Sequence, residues 1–190
     1  DYKASSTLMY LAQPTVSISN AVNGITVKWT KATGATGYTV YCSQLNTETG
    51  KWSSWKNMGT TKYSKSSWVD KSVVSGVTYK YTVRAVNGKW LSSYTASKSV
   101  KYLETPMLLS AFKTAEGNAI NYQQIDGAEG YRIYRKTADT SWVAIADVIG
   151  NDNVSYIDST IKENVEYTYT VRAFSSSHLS YYDTKGITCK

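Results

Sequence analysis

"GATGYTVY" (Gly34–Tyr41) and "GAEGYRIY" (Gly127–Tyr134) are one phrase written twice, 93 residues apart. In the first copy Tyr38, Val40 and Cys42 recur at every second position, the spacing of a strand with one buried face. A second phrase repeats downstream, where "YKYTVRA" (Tyr79–Ala85) returns as "YTYTVRA" (Tyr167–Ala173) after 88 residues. Pro14 and Pro106 stand 92 apart. The drift from 93 to 88 removes five residues between the phrases, and the difference falls in Leu45–Trp55, which reads as a hairpin loop. A period near 90 is too long for a solenoid, whose units run to roughly 20–50 residues. It fits a whole small domain, duplicated.

The alternation extends outward from these phrases. Ile25, Val27 and Trp29 share one side of an extended chain, as do Val77, Tyr79, Tyr81, Val83 and Ala85. No window carries a helical period. The spacing predicts strands over 15–19, 25–31, 37–43, 53–58, 65–69, 77–86 and 93–101, and again over 107–112, 118–124, 130–136, 142–146, 154–157, 165–174 and 181–189. The expected fold is all-β, two tandem seven-stranded antiparallel β-sandwiches. Trp29, Tyr38, Val40, Tyr81 and Val83 are the expected core of the first, and Tyr122, Tyr131, Ile133, Tyr169 and Val171 that of the second. Composition agrees: 17 Tyr and 6 Trp against 2 Phe favour half-buried pleated faces, and 42% apolar with 18% charged residues is a globular mixture.

An early Pro14, Trp29 on the second strand, Tyr38 opening the third and Gly76–Ala85 on the sixth resemble the fibronectin type III family. Pro106, Tyr131 and Tyr167–Ala173 repeat the pattern. Tyr122 stands where the family has Trp, and Asn164 where the first copy has Gly76. The chain closely resembles the type III modules common in secreted and cell-surface proteins of Gram-positive gut bacteria. It implies an Ig-like sandwich without an inter-sheet disulfide, and corner tyrosines at Tyr79 and Tyr167 whose hydroxyls bond back to the upstream backbone. Cys42 and Cys189 fall in different modules and are expected to stay unpaired, Cys42 facing inward and Cys189 more reachable.

The expected organisation is residues 1–11 as the tail of a preceding module or a linker, then modules at 12–102 and 103–190. "TLMYLAQP" (Thr7–Pro14) aligns with "SVKYLETP" (Ser99–Pro106), so Thr7–Tyr10 reads as the end of a strand from a domain cut away. The start at Asp1, without Met, reads the same way. Tyr102–Thr105 has no Gly or Ser and runs into Pro106, which holds its surroundings extended. End-to-end modules follow as an expectation. No stretch approaches the roughly 20 apolar residues of a membrane-spanning helix.

Catalytic chemistry finds no constellation, and no cofactor or metal is expected. His178 sits in "SSSHLS", read as a solvated loop, with neither a GxSxG motif nor a nearby Cys. Asp126/Glu129 and Asp147/Asp152 are acid pairs of the kind a glycosidase uses, but their turn context accounts for them. Asp70 and Asp158 end equivalent strands, which points to structure. No phosphate loop, HExxH or calcium loop is present.

Charge is uneven. Residues 1–102 carry 13 basic and 3 acidic side chains, and 103–190 carry 8 and 11, for a chain total of +7. The lysines of the first copy are scattered singly, which argues for a solvated face rather than a nucleic-acid surface. Trp55 matches Trp142 and Trp68 matches Tyr156, so these read as structural. Trp52 and Trp90 have no counterpart. With Lys51, Lys89 and Tyr94 they form the candidate ligand-binding set, on the expectation that both rings share one sheet face and stack against sugar C–H faces. Two functions stay open at this point. One is a non-catalytic extracellular spacer or interaction module, whose partners are neighbouring domains of the same polypeptide or a surface protein. The other is a carbohydrate-binding module for a glycan or cell-wall polymer.

Overall fold

The computed structural model describes residues 10–176 and 178–189. The chain divides into two compact units, whose bulk lies in 26–70 with 78–100 and in 101–190. Among the described residues every regular element is a strand.

In the first module, β1 (Val16–Ala21), β2 (Gly24–Trp29) and β5 (Ser67–Asp70) form one sheet, in the order β1-β2-β5. The other sheet runs β4 (Lys56–Lys62), β3 (Gly37–Gln44), β6 (Thr78–Asn87), β7 (Trp90–Leu91), and β8 (Val100–Lys101) also pairs with β6. The second module repeats this. β9 (Leu108–Lys113), β10 (Asn118–Tyr122) and β13 (Ser155–Asp158) make the small sheet. β12 (Val143–Ile149), β11 (Gly130–Lys136), β14 (Tyr167–Ser175) and β15 (His178–Leu179) make the large one, with β16 (Ile187–Cys189) also on β14. Three strands facing a larger sheet, twice over, is the all-β tandem sandwich expected.

The period-two reading placed the cores correctly. Trp29, Tyr38, Val40, Tyr81 and Val83 are buried in the first module, and Tyr122, Tyr131, Ile133, Tyr169 and Val171 in the second. Trp29 packs on Tyr38 at 5.6 Å between ring centroids, and Tyr122 on Tyr131 at 4.8 Å. Tyr122 thus fills the place of the tryptophan, and its hydroxyl donates to the Asn153 carbonyl.

The repeated Gly-Ala-x-Gly phrase has two geometric reasons. Gly34 and Gly127 turn at φ +80° and +79°, which side chains disfavour. Gly37 and Gly130 lie against the neighbouring strand, where a Cβ would come within 2.5 Å of the Thr61 carbonyl oxygen and 2.4 Å of that of Val148. The length difference is where it was expected: the β3–β4 connection spans 45–55 and the β11–β12 connection 137–142.

Four expectations need correction. The seventh strand is not continuous in either module but splits into two short pieces, β7 with β8 and β15 with β16. Its middle is drawn off the ladder by serine side chains, as described below. The fourth strand starts at Lys56, three residues later than expected, because the segment before it is held by Ser53, whose N–H donates to the Gln44 carbonyl while its Oγ accepts from the Gln44 N–H. Cys189 is not the more reachable thiol. It lies opposite Tyr167 in register and is 3% exposed, against 7% for Cys42. His178 is half-buried in β15 rather than solvated in a loop. Of the strand tail expected at Thr7–Tyr10, Thr7–Met9 lie outside the described residues.

Candidate ligand site on the outer sheet face

Alternate residues of β6 and β14 face away from the core. On this outer side Arg84 and Arg172 occupy the same place in their modules. Each guanidinium donates through Nε to a serine carbonyl, Ser92 at 2.7 Å and Ser180 at 2.8 Å. The same serines explain the broken seventh strand. Ser92 N–H donates to the Ala85 carbonyl, as a ladder would have it, but the Ala85 N–H donates to Ser92 Oγ instead of to a backbone oxygen. Ser180 does the same with Ala173. A side-chain acceptor standing in for the backbone releases the chain from the sheet. Farther along, Thr82 Oγ1 donates to the Thr95 carbonyl, and Thr170 Oγ1 to that of Asp183. The released segment is thereby fixed at both ends, and it carries Tyr94 in one module and Tyr182 in the other.

These tyrosines close an aromatic wall. Trp55 meets Tyr94 edge-on, with centroids 6.0 Å apart and planes at 81°, and Trp142 meets Tyr182 at 6.5 Å and 80°. Arg84 and Arg172 each lie 5.6 Å from the centroid of their tyrosine ring. The floor is set by a β-bulge. Register shifts between Val40 and Tyr41, and at the same place between Ile133 and Tyr134; such bulges re-aim a side chain. The result is an open pocket of about 130 Å³ in each module. Tyr41, Trp55, Thr82, Arg84 and Tyr94 line the first, and Tyr134, Trp142, Thr170, Arg172 and Tyr182 the second. The same residue type recurs at each of five equivalent places.

A lysine stands beside each tryptophan, and it arrives by different routes. Lys80 of β6 lies 4.2 Å from the Trp52 ring centroid and 5.4 Å from that of Trp55. Lys136 of β11 lies 4.8 Å from that of Trp142. Lys80 pairs with Ser43 and Lys136 with Thr168. Ser43 and Lys136 are equivalent, as are Lys80 and Thr168, so the cation has changed strands within one cross-strand pair and kept its place in space.

The candidate residues separate accordingly. Trp52 and Tyr94 belong to one continuous array through Lys80 and Trp55. Trp90 does not join it. Trp90 pairs with Asn87, on the side of β6 that carries Tyr81, Val83 and Ala85, seven residues from Lys80. At about 3.3 Å per residue that is roughly 23 Å along the strand. Lys89 lies 5.6 Å from the Trp90 ring and so stays at that far end, and Lys51 is exposed in the β3–β4 loop. Trp55, Trp142, Arg84, Arg172 and Tyr182, which line the two pockets, stand outside the candidate set read from the sequence. The signal was present in the match of Trp55 to Trp142, which duplication alone had assigned to the scaffold.

Several other titratable groups are tied into the scaffold. Tyr81 Oη donates to Asp70 Oδ2 at 2.8 Å and Tyr169 Oη to Asp158 Oδ2 at 2.9 Å, both buried. In the second module Asn118 Nδ2 donates to the same tyrosine oxygen, and Arg135 Nη1 donates to Asp158 at 2.7 Å. Cys42 occupies the place of Arg135 in the first module, and burial pushes its thiol up to about 11. Of the acid pairs, Glu129 accepts from the Ser176 N–H and Ser175 Oγ, and Asp147 forms a two-pronged pair with Arg132. Among the described residues no three His, Cys, Asp or Glu side chains cluster as a metal site. No described helix is long and apolar enough to cross a membrane.

No family model matches the chain, and no curated protein matches it in sequence. Solved structures resemble it in fold. A two-domain fibronectin type III segment of chicken tenascin matches over 93% of this chain and 97% of its own, at 12% identity and a TM-score of 0.42. The FN1–FN3 domains of chicken CNTN1 match over 93% of this chain, at 17% identity and a TM-score of 0.40, and the chain spans 65% of that structure.

Proposed function

We propose that the chain is a non-catalytic interaction segment of a larger secreted or cell-surface protein, with modules at about 12–102 and 103–190. It spaces neighbouring domains of the same polypeptide and presents a binding face on each large sheet. One observation carries this reading: the same aromatic pocket, built by the same serine, threonine and arginine bonds, occurs in both modules. A scaffold needs a filled core, and both cores are complete without these rings. Two aromatic walls meeting at right angles beside guanidinium donors suit a sugar ring, whose C–H faces pack on aromatic planes while its rim accepts hydrogen bonds. That arrangement favours glycan binding over a purely mechanical spacer. The bacterial setting suggested by the sequence resemblance makes a cell-wall or gut polysaccharide a fitting ligand.

The test is a glycan array probed with the intact chain and with the doubly substituted Trp55→Ala/Trp142→Ala chain. The reading expects a defined set of bound glycans that is lost in the double variant while the far-ultraviolet spectrum of a β protein persists. Binding to no glycan returns the chain to a spacer.

A further inference from the structure

We infer that each pocket is a subsite for a carboxylate-bearing sugar residue, with Arg84 and Arg172 as the carboxylate-recognising groups; this rests on the glycan reading above and narrows it to acidic glycans. The arginines are the reason. Nε of each donates to a serine carbonyl and the guanidinium carbon lies 5.6 Å from a tyrosine ring centroid, so the group is tethered at its base beside an aromatic ring. Neither Nη of either residue has a hydrogen-bond partner among the described residues. The described ion pairs are Arg132–Asp147 and Arg135–Asp158, and neither involves Arg84, Arg172, Lys80 or Lys136.

A tethered guanidinium with its fork unoccupied matches a carboxylate, which accepts two parallel N–H donors. A lysine ammonium lies over each pocket tryptophan, 5.4 Å from the Trp55 centroid and 4.8 Å from that of Trp142, and adds positive charge next to the pocket without lining it. The neutral walls set the rest of the ligand. Trp55 with Tyr94, and Trp142 with Tyr182, offer planes for a pyranose, and a volume of about 130 Å³ holds one ring rather than a chain. A uronic acid within a polysaccharide combines these features, its carboxylate on the arginine fork and its C–H face on the tryptophan.

Isothermal titration of the full chain with oligogalacturonate, and with the same oligosaccharide carboxyl-reduced to the neutral sugar, tests this. Two sites per chain are expected for the acidic form, with binding at least ten-fold weaker for the neutral one. Arg84→Ala and Arg172→Ala should each remove one site, and the double variant both. Tyr94→Ala and Tyr182→Ala leave the serine anchors intact and should likewise remove one site each, which guards against a misfolded arginine variant. Binding of oligogalacturonate should also weaken as salt rises, as ion pairing requires. Equal binding of the acidic and neutral forms overturns the carboxylate assignment but leaves glycan binding standing. Failure of both forms, with a glycan array also blank, overturns the two together. Binding of an acidic peptide in preference to oligogalacturonate overturns the sugar assignment.

Discussion

Tyr169 shows how much one side chain can hold. Its hydroxyl donates to Asp158, itself fully buried, and accepts from Asn118. Tyr169→Phe leaves Asn118 and Asp158 each short of a partner in a dry site, which should cost about 1–3 kcal/mol in urea unfolding of the second module. Tyr131→Phe removes a hydroxyl that accepts from the Ile125 N–H and should cost about 1 kcal/mol. Tyr38 makes the equivalent bond to the Ala32 N–H. Tyr167, one of the two expected corner tyrosines, also anchors backbone, its hydroxyl accepting from the Lys162 N–H. Burial pushes Asp158 up, and hydrogen bonds from Thr160, Arg135 and Tyr169 outweigh it, leaving its pKa below the ordinary 3.8. A carboxylate with a depressed folded pKa binds fewer protons folded than unfolded. Its stabilisation is complete above the unfolded value and is lost as pH falls through the folded one. Thermal melts should therefore show the second module weakening below about pH 4; a module that strengthens on acidification contradicts this. The thiols give an independent check. Burial raises both Cys42 and Cys189, so both should resist a thiol reagent at about pH 8 in the native chain and titrate fully once unfolded.

At the level of elements, the serine anchors matter most. Ser92→Ala and Ser180→Ala each strip the buried Ala85 or Ala173 N–H of its acceptor. The expected cost is about 1–3 kcal/mol, accompanied by loosening of Tyr94 or Tyr182, visible as a change in near-ultraviolet circular dichroism. A cost below about 0.5 kcal/mol, the size of a surface change, would mean that the serines do not hold the released segment. The strands themselves were legible because burial on one face imposes alternation, so Tyr38, Val40, Tyr81 and Val83 announce their side of the sheet. The split seventh strand was not legible. A serine in "WLSSY" reads as an ordinary turn residue, and only the register against β6 shows its hydroxyl replacing a carbonyl. The bulge at Tyr41 is invisible for a similar reason, since an extra residue sits on the partner strand, far away in sequence. Trp90 misled because sequence places it near Tyr94, whereas its pairing with Asn87 sets it on the opposite side of the sheet.

Across the whole molecule, duplication is the fact that organises the rest. It was readable from two phrases, and it fixes the fold without choosing a function, because one sandwich carries many. What duplication adds comes from comparing the copies in space. Unique residues such as Trp52 and Trp90 drew attention in the sequence, yet the pocket is built from the shared ones. The swap of Lys80 for Lys136 across one strand pair is a spatial constant that no alignment of the two copies displays. The central claim is that both modules carry one equivalent site. Its most direct test is a nitrogen-15 correlation spectrum of the labelled chain, in which the indole N–H signals of the 6 tryptophans are followed while oligogalacturonate is added. The account predicts that the Trp55 and Trp142 signals move together and saturate while those of Trp29 and Trp90 stay still; movement confined to Trp90, or to one module alone, would contradict it.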